Sequence, residues 1–179
     1  MQSGQDPALS EAATNGIAAQ RLVSSPADTL SRQAAMFGSF QMLREFLDCG
    51  PYVMVLNSKR QIVFASRALM ELMGGCELER FVGLRVGEAF HCVHAGDAPA
   101  GCGTTEFCQH CGGHNAILSA QTGLRNAQEC RITRRIKGRE EPLDLLVKAS
   151  LVVVADERYV LCHISDISHE KRRYALAGC

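Results

Sequence analysis

The sequence lacks any excess of charge. Its 19 basic residues are matched by 19 acidic ones, so the formal net charge is zero. That removes the electrostatic footprint expected of a nucleic-acid-binding chain or of one built for an acidic partner. Long apolar runs are also missing. Stretches such as Leu151–Ala155 stop after a few residues, whereas a membrane span needs roughly 20. The start, MQSGQDPALSEAATNG, has neither a basic region nor an apolar one, so it does not read as a secretory signal. No kinase, nucleotide-binding or phosphoacceptor pattern follows Arg173. These absences lead to the expectation of a cytoplasmic protein that contacts neither membrane nor nucleic acid. They also suggest that it is not an enzyme, so that the output domain is on another chain or this chain is a piece of a larger one.

What is there in abundance is cysteine and histidine in one place. His91–His114, HCVHAGDAPAGCGTTEFCQHCGGH, holds four of the nine cysteines (Cys92, Cys102, Cys108, Cys111) and four of the six histidines (His91, His94, His110, His114). In a reducing compartment such a cluster points to metal or redox chemistry, not to a disulfide framework. Thiolates and imidazoles select soft and borderline metals. The spacing is C-x9-C-x5-C-x2-C, and its last pair is the knuckle that lets one turn present two sulfurs to one ion. A zinc site usually has two such knuckles, whereas an iron–sulfur cluster takes four thiolates with looser spacing. Both remain open here. Cys92, Cys102, Cys108 and Cys111 are the expected ligands, with His94 in reserve. His110, His91 and His114 are weaker candidates, and Asp97 or Glu106 could orient a ligating imidazole. A thiol oxidoreductase using Cys108 and Cys111 is the rival chemistry. Cys130 and Cys162, which fall on strands, read as buried small hydrophobes.

Around this loop the chain reads as α+β. Hydrophobic residues make up 46% of it, enough for a packed core. Residues 1–27 read as a polar tail. Residues 28–48 read as an amphipathic helix with Asp28 as its N-cap, its stripe running through Leu30, Ala34, Phe37, Leu43 and Leu47. Tyr52–Asn57 and Gln61–Ser66 form a hairpin turned at Ser58–Arg60, and RALMELM is a short helix stopped by Gly74 and Gly75. A helix resumes after the loop near Asn115. Three antiparallel strands follow, Gln128–Ile136, Leu143–Val154 and Arg158–Asp166, then a charged helix over 168–179. The basic run RITRRIKGR has no aromatics interleaved and reads as a solvated sheet face.

From about Phe46 to Arg173 this order resembles a PAS (Per-Arnt-Sim) sensor domain. The pieces that carry the likeness are YVMVLNSKRQIVFAS, RALMELMG, VGLRVGEAF and the close YVLCHISDISHEKRR, which is similar to the family's D-I-[ST]-x-x-K exit. The resemblance implies a five-stranded antiparallel sheet with short helices on one face over 49–167, interrupted by the Cys/His loop 90–114. It implies a signal-input module, commonly a homodimer, that feeds a histidine kinase or another signalling output domain. Asp166, Ile167 and Ser168 would be the signal exit. Some PAS sensors carry iron–sulfur clusters on four cysteines, and the loop looks like a variant of that arrangement. Redox or oxygen sensing is the expected task, and a dimerisation adaptor with structural zinc is the alternative.

Overall fold

A computed structural model describes residues 24–39 and 52–177. One five-stranded antiparallel sheet in the order β2-β1-β5-β4-β3 organises the chain. Its strands are β1 (Tyr52–Leu56), β2 (Ile62–Ala65), β3 (Asn126–Ile136), β4 (Arg139–Val154) and β5 (Glu157–Asp166). The helices are α1 (Ala27–Gly38), α2 (Arg67–Leu72), α3 (Val86–Ala89), α4 (Gly112–Gln121) and α5 (Ser168–Ala177). This is the α+β architecture expected, with the hairpin and the three later strands where the residue pattern put them, except that β4 begins earlier, at Arg139 and not at Leu143. Among the described residues, no helix is long and apolar enough to cross a membrane.

The periodicity of each strand follows from what covers it. Every residue of β2, and all of β1 after Tyr52, is buried. The reason is that this end of the sheet is covered twice. Met54, Leu56 and Ile62 join the main core under the helical layer, while Val53, Val55, Val63 and Phe64 pack with Phe37 and Tyr159 on the other side. At the far end only one face is covered. On β3 the inward positions are Cys130 and Ile132, and on β4 they are Leu143, Leu145, Val147 and Ala149. Helix α4 crosses this face and buries Ala116, Ile117 and Ala120 against it. Among the arginines of the basic run, Arg134 departs from the solvated-face reading. It shares the inward parity of Ile132, donates to the Leu72 carbonyl at 3.1 Å and lies 2.9 Å from Glu141.

Helix α1 starts at Ala27, so Asp28 sits in its first turn and Pro26 takes the cap position. The later part of the anticipated helix, including Leu43 and Leu47, lies outside the described residues. Phe37 meets Tyr159 edge-on with ring centroids 4.9 Å apart and is 5% exposed. The apolar stripe is thus turned, at least there, onto the protein's own sheet. A polar clamp adds to it. Glu157 receives hydrogen bonds from Gln33 (2.8 Å), Arg32 (2.7 Å) and the Tyr159 hydroxyl (2.8 Å). These donors hold its carboxyl down to about 2, from an ordinary 4.5.

A carboxylate lowered on folding stabilises the fold above its unfolded pKa and loses that contribution as pH falls through the folded one. Acid between pH 4.5 and 2 should therefore loosen α1 progressively. Amide exchange of α1 during an acid titration should reveal this, and Glu157→Gln should flatten the profile. Identical profiles in the two proteins would show that the carboxylate is not the clamp.

Candidate functional site: a polythiol cavity

The loop's local structure comes from short turns. Single 3-10 turns at Val93–Gly96 and Glu106–His110 alternate with irregular backbone. The loop is stitched down at both ends. The His91 carbonyl accepts from Arg135 N–H at 2.9 Å, and Cys92 bridges Arg134 of β3. At the other end Cys111 caps α4 and accepts the Asn115 N–H at its carbonyl. The loop thereby closes over the sheet and leaves a cavity of about 220 Å³. Cys92, Cys102, Cys108, Cys111, Cys130 and Cys162 all line it, together with Arg60, Arg85, His94 and His114.

All four cysteines expected as ligands are thus brought to one cavity. The structure adds a fifth thiol close beside them. Cys130 Sγ, from β3, lies 3.5 Å from Cys111 Sγ. The knuckle Cys108–Cys111 is not the sulfur pair of the fold. Cys108 Sγ instead sits beside the Gly103 amide and the Thr105 hydroxyl, with Cys102 as its thiol neighbour, and Cys111 Sγ pairs with Cys130 Sγ. In each pair one sulfur is favoured as thiolate. Hydrogen bonding from Cys102, with help from Thr105 and the Gly103 amide, lowers Cys108 to about 4. Hydrogen bonding from Cys130 and the first amides of α4 lowers Cys111 below the ordinary thiol value. The partners Cys102 and Cys130 are pushed up by those same bonds and by burial. Cys92 is raised by burial, and Cys162, farther down the wall, is pushed up to about 12 by burial.

Backbone amides point at these sulfurs. Gly87 N–H reaches Cys102 Sγ at 3.2 Å, Gly103 N–H reaches Cys108 Sγ at 3.2 Å, and Thr105 Oγ1 lies 3.1 Å from Cys108 Sγ. A Cβ on Gly87 would come within 2.6 Å of Cys102 Sγ, so the donor can approach only because that position is glycine.

Two cations complete the wall. Arg60, placed by the sequence in the hairpin turn, is only 8% exposed, and Arg85 is 4% exposed. Arg85 donates to the Ala100 and Cys102 carbonyls and so fixes the loop's midpoint. Arg60 Nη1 lies 3.1 Å from His114 Nδ1. Guanidinium can only donate, so His114 accepts at Nδ1 and keeps its proton on Nε2. Burial first, and then Arg60, lower its pKa to about 4. His94 bonds Asp97 at 2.9 Å and stacks on Phe107 with centroids 4.2 Å apart. His91, His110 and Glu106 are exposed.

Among the described residues, no three His, Cys, Asp or Glu side chains converge tightly enough to chelate one ion. The thiols surround a space instead of meeting at a point. At the signal exit, Asp166 Oδ1 accepts the Ser168 N–H at 2.9 Å, Ser168 Oγ accepts the Asp144 N–H at 2.9 Å, and Ile167 N–H bonds the Asp144 carbonyl at 2.9 Å. The joint between β5 and α5 is therefore tied to β4.

No family model matches the sequence, and no curated protein matches it. Solved structures do resemble the fold. A LOV protein from Rhodobacter sphaeroides superposes with a TM-score of 0.50 at 17% identity, covering 72% of this chain and 67% of that one. The PAS domain of an HTR-like protein from Haloarcula marismortui gives 0.46 at 13% identity, covering 76% and 98%. The PAS domain of nitrogen regulation protein NR(II) from Vibrio parahaemolyticus gives 0.43 at 15%, covering 71% and 95%. With the strand order β2-β1-β5-β4-β3 and helices α2, α3 and α4 laid over one face, this chain has a PAS-type fold.

Proposed function

We propose that this chain is a signal-input module, itself without catalytic activity, and that it reads redox state or oxygen through an iron–sulfur cluster in the polythiol cavity. The ligands would be Cys92, Cys102, Cys108 and Cys111. The observation that carries this reading is the convergence of these four thiols, from three separate turns, on one cavity of about 220 Å³. A polynuclear cluster suits them better than a single zinc, because each thiolate can then bind a different metal atom. Bound there, such a cluster supplies one-electron chemistry whose potential depends on charge, hydrogen bonds to sulfur and exposure.

The chain's own residues provide those controls. Gly87 and Gly103 donate N–H groups to the sulfurs. Arg60 and Arg85 place positive charge beside thiolates that would otherwise repel one another. His114 keeps a proton on Nε2. Thiol oxidoreduction through Cys108 and Cys111 is less well supported, since neither sulfur has the other as its partner.

The route outward runs from α4 and β3 through β4 to Asp144, and from Asp144 to Ser168 and α5. A histidine kinase or similar output domain would receive the signal there, and a homodimer fits the same reading. Amide exchange should test it. Stripping iron from anaerobic protein should raise exchange in the loop and in α5 together, and Asp166→Ala should restrict the change to the loop. Exchange in α5 that ignores iron in the wild type would overturn the input-module reading.

A further inference from the structure

Cys130 is outside the Cys/His loop and is not needed for a four-thiolate site, yet the fold goes to some length to bring it in. Helix α4 begins with Gly112 and Gly113 because β3 lies directly beneath them. A Cβ on Gly112 would strike the Glu129 carbonyl oxygen, and one on Gly113 would sit 3.2 Å from Cys130 Sγ. Only a helix start without side chains can press this close. The consequence is a Cys111–Cys130 sulfur separation of 3.5 Å, between a half-buried cavity-facing thiol and a thiol 4% exposed behind it. Closing that gap to a bond of about 2.05 Å is within reach of side-chain rotation, because the two backbones are already in contact.

We infer that Cys111 and Cys130 form a reversible disulfide when the cavity holds no metal, and that this bond locks the loop closed. The oxidant is a peroxide. The Cys111 sulfur attacks one peroxide oxygen, the O–O bond breaks, and the departing hydroxide takes the Cys111 proton as water. Cys111 is then a sulfenic acid. The Cys130 sulfur attacks the Cys111 sulfur, the S–O bond breaks, and the departing hydroxide takes the Cys130 proton as a second water. Two thiols lose two electrons and the peroxide gains them. A small dithiol reverses the step by thiol–disulfide exchange. The bond ties the start of α4 to β3, the first strand on the path to α5. Its effect on iron uptake rests on the cluster reading; the bond itself does not.

The experiment uses the full chain, freed of metal with a chelator and treated anaerobically with equimolar hydrogen peroxide. Digestion without reductant, followed by mass spectrometry, should give Cys111–Cys130 as the main cross-link and a loss of two hydrogens per chain. Cys130→Ser should stop at an oxidised Cys111 with no intramolecular bond, and Gly112→Ala should lower the cross-link yield by moving α4 off β3. A dominant Cys102–Cys108 or Cys108–Cys111 cross-link, or wild-type Cys111 over-oxidised without any bond, overturns the inference. Oxidised wild type should then refuse iron until treated with dithiothreitol. If reduced protein also refuses iron, the cluster reading has failed while the disulfide stands.

Discussion

Cys108→Ser should leave the protein nearly free of iron after anaerobic purification. Cys108 is 7% exposed, and its sulfur has three neighbours that favour the thiolate: Cys102, the Gly103 amide at 3.2 Å and Thr105 Oγ1 at 3.1 Å. Serine at that position offers an alcohol that stays protonated and binds iron poorly. Removing a hydrogen-bond partner of a ligand costs roughly 10–100-fold in metal affinity, so losing the ligand itself should cost more. Thr105→Val provides the graded comparison and should fall within that 10–100-fold range. Cys76→Ser should change nothing, since Cys76 is exposed and away from the cavity. The sheet should stay folded in all three, because its core of Leu56, Ile62, Leu145 and Val160 is built without the loop. Iron bound per chain, with circular dichroism as the folding control, separates these outcomes. Full iron in Cys108→Ser would remove this residue from the ligand set.

Gly112→Ala should be among the most damaging single-methyl additions in the molecule. The new Cβ would meet the Glu129 carbonyl oxygen with Gln128 Cβ beside it. A β-strand backbone paired along its length cannot step aside as a side-chain end can. Overpacking ordinarily costs about 1–3 kcal/mol, and contact with paired backbone puts this site at the upper end. About 3 kcal/mol corresponds to roughly 6–12 °C in Tm for a domain of this size. Gly96→Ala is the matched control, because a Cβ there meets nothing within 4 Å. Equal melting temperatures for the two variants would mean that α4 does not bear on β3 as described.

The sheet was legible because its cause is local. Alternation in LDLLVKA and the unbroken apolar runs of YVMVL and IVFA each report how many faces are covered. The Cys/His loop was legible by density alone. What the sequence could not convey is which sulfurs meet. Spacing pairs Cys108 with Cys111, while the fold pairs Cys111 with Cys130 across a helix–strand contact. A signal for this did exist: Cys130 shares strand parity with Ile132, so it faces the helical layer, and two consecutive glycines open the helix above it. Arg60 gave no such sign. An arginine at the end of a Ser-Lys-Arg turn reads as solvated, and only the loop folding back over the hairpin encloses it. Arg85 is buried by the same loop, through the carbonyls it holds.

The central claim is that the polythiol cavity holds an iron–sulfur cluster, and metal and sulfide analysis of full-length protein purified without air tests it most directly. The account predicts a brown protein containing iron and acid-labile sulfide, with visible absorption that bleaches in air and is absent in Cys108→Ser. A colourless protein with one equivalent of zinc, or with no metal at all, would contradict it.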